Sequence, residues 1–158
     1  MTAPVHIWTR ATHHTAFRCG GWAFVRSGAE LSGQAGGERN TTAPRMALAG
    51  LVAALKDLAD GPLSLDLADR ALAQTAAKLI AGTPFAPDEP PYDNLDLWAL
   101  LTTALKGRAV TITLGPIPLG GPAAFAQAWA DLAMDKAKDR GPFVAAIPRP
   151  NLAKLKLD

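Results

Sequence analysis

Val5-His6-Ile7-Trp8-Thr9 is a run of mostly apolar, β-branched and aromatic residues, and it stops at a charge, Arg10. A run that short is below the length of an ordinary helix and reads as a buried strand. Such a strand carries the residue at its end to the end of a sheet, so any functional reading turns on Arg10. A chain of 158 residues with 49% hydrophobic residues fits one compact domain built around that strand.

The segments that follow set the order of elements. Residues 11–18 are polar and read as a loop, and Cys19-Gly20-Gly21-Trp22-Ala23-Phe24-Val25-Arg26 reads as a second strand entered through two glycines. After the turn signal Ser27-Gly28, residues 30–36 form a weak third strand of an antiparallel meander. Leu48, Leu51, Val52 and Leu55 recur at helical spacing within a helix over 45–58, with Thr42 as N-cap and Pro44 in the first turn. Residues 63–68 alternate as a half-buried strand ending at Asp69, and a short helix is expected over 70–80.

Four prolines and two carboxylates, Asp88 and Glu89, make 81–92 an exposed loop. A helix capped by Asp93 or Asn94 then runs to Lys106 with Leu97, Trp98, Leu101 and Leu105 on one face. Residues 109–114 alternate as a strand, 115–122 are a turn, and a last helix over 123–139 carries Phe125, Trp129, Leu132 and Lys136 at helical spacing. The domain is expected to span 1–142. Residues 143–158 read as a C-terminal tail: Pro148 and Pro150 forbid a regular helix there, and the Lys/Leu alternation of 154–157 could add an edge strand or dock on a partner.

Composition narrows the function classes. A net charge of +2 provides no strong global field toward nucleic acid or anionic membrane, so charge must act locally. The single cysteine, Cys19, cannot form an internal disulfide and reads as a packed thiol. No secretory signal is visible at the start, and no run approaches the roughly 20 apolar residues that span a bilayer, so a cytoplasmic location without membrane contact is expected. His13 and His14, near Cys19, make a poor zinc site because adjacent histidines do not readily face one ion. Trp8, Trp22, Trp98 and Trp129 read as core and rim packing, with Trp22 the most exposed.

The order of elements, together with Val5-His6-Ile7-Trp8-Thr9, Gly20-Gly21-Trp22-Ala23, Asn40-Thr41-Thr42 before Arg45-Met46, and Leu95-Asp96-Leu97-Trp98, resembles the bacterial-type ribonuclease H family over roughly Val5 to Arg140. The resemblance implies an α/β fold, a ribonuclease H-like mixed five-stranded sheet with helices on both faces. It also implies cleavage of the RNA strand of a hybrid by two divalent ions held by four acidic residues. Those positions fall on Arg10, Ala47, Asp69 and Ala130, so only Asp69 is acidic. Asp131, one residue along the helix from the last of them, would face elsewhere.

The family's hybrid-reading asparagine pair falls on Ala43 and Pro44, and its catalytic histidine has no match in 115–122. Because the first and fourth strands are neighbours in that family, the resemblance further implies an ion pair between Arg10 and Asp69. The expectation is a catalytically inactive ribonuclease H-like protein without cofactor or bound metal, which binds RNA, DNA or hybrid through Arg10, Arg18, Arg39 and Arg45. Lys136, Lys138 and Arg140 add cations at the end of the last helix. The alternative is a protein-interaction module using the former active-site face, the acidic Pro-rich loop or the C-terminal tail. A third reading, an active nuclease with relocated acids, finds no convergent cluster in the sequence.

Overall fold

The computed structural model describes residues 3–28, 30–88, 91, 93–115 and 121–155. Strands β1 (Val5–His14), β2 (Cys19–Arg26) and β3 (Ser32–Glu38) form an antiparallel meander, followed by helix α1 (Ala43–Leu55). Strand β4 (Leu63–Leu67), helices α2 (Arg70–Ala81) and α3 (Leu95–Leu105), strand β5 (Val110–Leu114) and helix α4 (Gly121–Arg140) come next. The chain then adds β6 (Phe143–Ala146) and a short α5 (Arg149–Leu152). One mixed sheet results, ordered β5-β4-β1-β2-β3-β6, with β1, β4 and β5 parallel and β1, β2, β3 and β6 antiparallel.

Two differences from the sequence reading come from strand pairing. Residues 11–14 continue β1 instead of forming a loop, because β1 pairs with β2 without a break from Ile7 opposite Arg26 to His14 opposite Cys19. Residues 143–146, expected in a tail, pair with β3 from Phe143 opposite Gly37 to Ala146 opposite Gln34, so the sheet has six strands where five were expected. Past it, Pro148 and Pro150 begin α5 instead of preventing it, since the first turn of a helix needs no partner for its N–H groups. The pair Lys156-Leu157, part of the expected edge-strand pattern, lies outside the described residues, as do 116–120 of the expected turn and 89, 90 and 92 of the acidic loop.

The core lies on both sheet faces. On one, Ile7, Trp22, Phe24, Leu65 and Leu67 meet α1, α2 and α3 through residues such as Met46, Leu51, Leu72 and Leu101. Trp22, expected to be the most exposed tryptophan, is 4% exposed and buried here, while Trp8, Trp98 and Trp129 are half-buried. Thr42 caps α1 by accepting from Arg45 N at 3.3 Å, with Pro44 in the first turn as expected.

On the other face α4 packs by small residues. Its buried side chains are Ala123, Ala126, Ala130, Ala133 and Ala137, whereas Leu132 and Lys136, expected on the core side, are exposed. The reason is the surface opposite. A Cβ on Gly21 would press into the α4 backbone at Ala130 O and Met134 N, so helix and sheet touch at the main chain and only alanine fits between them. Residue spacing favoured the bulky stripe of α4, and the sheet selected the small one.

Candidate functional site

Strands β1 and β4 run side by side in parallel, Val5 opposite Leu63 and Trp8 opposite Asp66, so β4 ends beside the middle of β1, which continues along β2 to His14. A cavity of ≈ 220 Å³ lies there, lined by Thr9, Arg10 and Thr12 from β1, Ala47 from α1, Asp69 at the start of α2 and Gln127 from α4, among others. Three of the four positions singled out from the sequence, Arg10, Ala47 and Asp69, therefore meet in space. Ala130 does not join them: it is fully buried between α4 and the sheet. Gln127, nearly one turn earlier, is the α4 side chain that reaches the cavity, and its Nε2 donates to exposed Asp131 Oδ1 at 3.1 Å.

Arg10 is 3% exposed, a rare state for a guanidinium, and its partners explain it. Nη2 donates to Asp66 Oδ1 at 2.6 Å, and Nη1 donates to Asp66 O at 3.0 Å and to Thr9 O at 2.7 Å. Nε is buried with no partner among the described residues. The expected pair with Asp69 is corrected to a pair with Asp66. Alternation decides it, because Asp66 lies opposite Trp8 and so shares a sheet face with Trp8 and Arg10. Asp69 instead follows the strand and caps α2, accepting from Leu72 N at 2.8 Å.

The other candidate cations are mostly engaged within the fold. Arg45 donates to both Asp96 oxygens at 3.2–3.3 Å and to Asn94 Oδ1 at 3.2 Å. That hydrogen bond holds the Asp96 carboxyl below its ordinary range and raises Arg45 further. Arg39 donates from Nε to Ala137 O and from Nη2 to Lys138 O, both at 2.9 Å, tying β3 to the end of α4. Arg18 is exposed at the β1–β2 turn, and its side chain makes no bond among the described residues.

His13 and His14 part ways: His13 Nε2 bonds Thr41 O at 2.9 Å, and the His14 ring packs against Phe17 at 4.8 Å. Among the described residues no group of three His, Cys, Asp or Glu side chains converges as a metal-binding set would. Ala43 lines the cavity and Pro44 a neighbouring cleft of ≈ 430 Å³, which also touches Asp69, Leu72 and Trp98. No helix among the described residues is long and apolar enough to cross a membrane.

Sequence reasoning missed Asp66 and Gln127. Alternation in 63–67 held a signal for Asp66, since it set that carboxylate on the face opposite Leu65 and Leu67. Gln127 carried none, because its place depends on how closely α4 approaches the sheet.

The mixed sheet order, with α4 on one face and α1, α2 and α3 on the other, defines a ribonuclease H-like fold. Solved structures with this architecture include LC9-RNase H1, a type 1 RNase H with the type 2 active-site motif, at TM-score 0.63 and 15% identity over 100% of this chain and 88% of that one. The N-terminal RNase H domain of rv2228c from Mycobacterium tuberculosis, fused to maltose-binding protein, matches at TM-score 0.63 and 19% identity over 87% of this chain and 98% of that one. LC11-RNase H1 in complex with an RNA/DNA hybrid matches at TM-score 0.63 and 16% identity over 84% of this chain and 98% of that one. No family model matches the chain, and no curated protein matches it in sequence.

Proposed function

We propose that this chain is a ribonuclease H-like domain that has lost hybrid cleavage and acts by binding nucleic acid. The observation that carries the loss is the donor set of the β1–β4 cavity. Two divalent ions require several hard oxygen ligands converging on one point. The cavity offers one carboxylate, Asp69, one of whose oxygens accepts the first turn of α2, beside a guanidinium and the methyl of Ala47. These residues do not fit a metal pair. Arg10, bound to Asp66, acts here as a structural replacement that neutralises a strand carboxylate where β4 ends.

The nucleic-acid half of the proposal is carried over from the fold, in which LC11-RNase H1 was solved with an RNA/DNA hybrid, and is supported locally by the cations of the β1–β2 turn and the end of α4. Protein interaction is the second reading. It is favoured by the apolar surface that β6 shares with α4, where Leu132, 59% exposed, lines a cleft of ≈ 220 Å³ with Trp129, Phe143 and Ala145.

The test incubates the protein with labelled single-stranded RNA, duplex DNA and RNA/DNA hybrid, with magnesium, at two salt concentrations, and resolves the products on a denaturing gel. Salt-dependent binding without product is expected. Magnesium-dependent cleavage that copurifies with the protein would overturn the loss of activity, and no binding at low salt would leave the protein-interaction reading.

A further inference from the structure

We infer that the tip of the β1–β2 hairpin is a stacking platform for single-stranded nucleic acid, with Phe17 receiving a base and Lys138 and Arg18 the flanking phosphates. The inference rests on the nucleic-acid reading above and names the site and the form of the ligand. Phe17 is 56% exposed at a turn whose other residues, Thr15, Ala16 and Arg18, are exposed as well. The ammonium of Lys138 lies 3.9 Å from the centre of its ring. Arg18 stands next to it, and Arg39 is fixed to the carbonyls of Ala137 and Lys138. One cation thus lies over the exposed ring, a second follows it in the chain, and a third is anchored to the main chain of Lys138 itself.

The platform is held in place. Thr41 N donates to Arg18 O at 2.9 Å, His13 Nε2 bonds Thr41 O at 2.9 Å, and Arg18 takes φ 54° to close the turn. The His14 ring supports Phe17 from the side, with 50° between the ring planes.

The ring decides the ligand class. Cations alone would serve any polyanion, but a phenyl ring in water gains most from a flat partner that is not already stacked. Bases of a duplex are stacked on one another, so a lone ring at a convex tip favours an unpaired strand. A cation–π contact at an exposed site is weaker than a base on the same ring, so the base displaces Lys138 and frees its ammonium for the adjoining phosphate.

Fluorescence anisotropy of the full chain with labelled oligothymidylate, against a duplex of the same length and poly-glutamate as competitor, tests this with Phe17→Ala, Phe17→Trp and Lys138→Gln. Phe17→Ala is expected to weaken single-strand binding about tenfold or more while Phe17→Trp retains it. Lys138→Gln should flatten the salt dependence by about 0.7 in log–log slope, the share of one phosphate contact on a single strand. Both positions are exposed, and unchanged melting temperatures verify that the variants fold. Binding by the unaltered protein that Phe17→Ala leaves intact would overturn this site while leaving the nucleic-acid reading in place. A preference for duplex, or displacement by poly-glutamate as effective as by oligonucleotide, would overturn the ligand class. Absence of binding at low salt would overturn both readings together.

Discussion

Arg10 and Asp66 form an asymmetric pair, the arginine side chain 1% exposed and the aspartate 28%. Breaking a buried ion pair costs about 3–5 kcal/mol, mostly because the surviving charge is left without water or partner. Asp66→Ala leaves a guanidinium in that state, held only by two main-chain carbonyls, and is expected at the upper end of that range. Arg10→Met leaves a carboxylate that solvent reaches, and is expected at roughly half that cost. Urea denaturation of the two variants and the double variant measures the difference; equal costs would contradict the asymmetry. Asp69, which lines the cavity, serves α2 as its cap instead.

At the scale of elements, the contact between α4 and β2 sets where everything on that face can stand. Gly21 has no room for a side chain, because the atoms a Cβ would meet belong to the helix backbone and cannot swing aside. Gly21→Ala is expected to push α4 from the sheet at a cost of about 3 kcal/mol or more. Gly50→Ala is the control: its Cβ would meet the Trp22 side chain at 3.1 Å inside α1, where alanine's helix preference of about 1 kcal/mol offsets the crowding. Thermal melting of the two variants should show a large loss for the first and little change for the second. Since Gln127 and Lys138 both ride on α4, Gly21→Ala should also disturb the cavity and the hairpin tip together.

For the molecule as a whole, residues past Gly141 complete the fold. Ile147 and Leu152 are 3% and 4% exposed and close the small core under α4 and α5. Burying side chains of this kind stabilises by about 1.5–3 kcal/mol each, so a chain ending at Arg140 is expected to lose roughly 3–6 kcal/mol. Against the about 5–15 kcal/mol typical of a domain, that loss should move the urea midpoint far toward zero or leave the chain partly unfolded. An unchanged midpoint would show β6 and α5 to be an accessory.

The chain's own periodicities determined most of its elements. Alternation at 63–67 and 110–114 and the capped helix after Thr42 are local, and each acts through the conformation of its own residues. The meeting of Arg10, Ala47 and Asp69 followed from the resemblance, because β4, the parallel neighbour of β1, ends beside Arg10. What only the tertiary structure decided are the choices between competing local signals. Asp66 took the guanidinium from Asp69 through strand parity. Alanines took the centre of the α4 interface, with Phe125 and Trp129 at its margin and Leu132 outside it, because the sheet facing them has glycines where side chains would stand. Phe143 to Ala146 became a strand because β3 offered an open edge. In each case the deciding group belongs to a distant part of the chain, so no reading confined to neighbouring residues contains it.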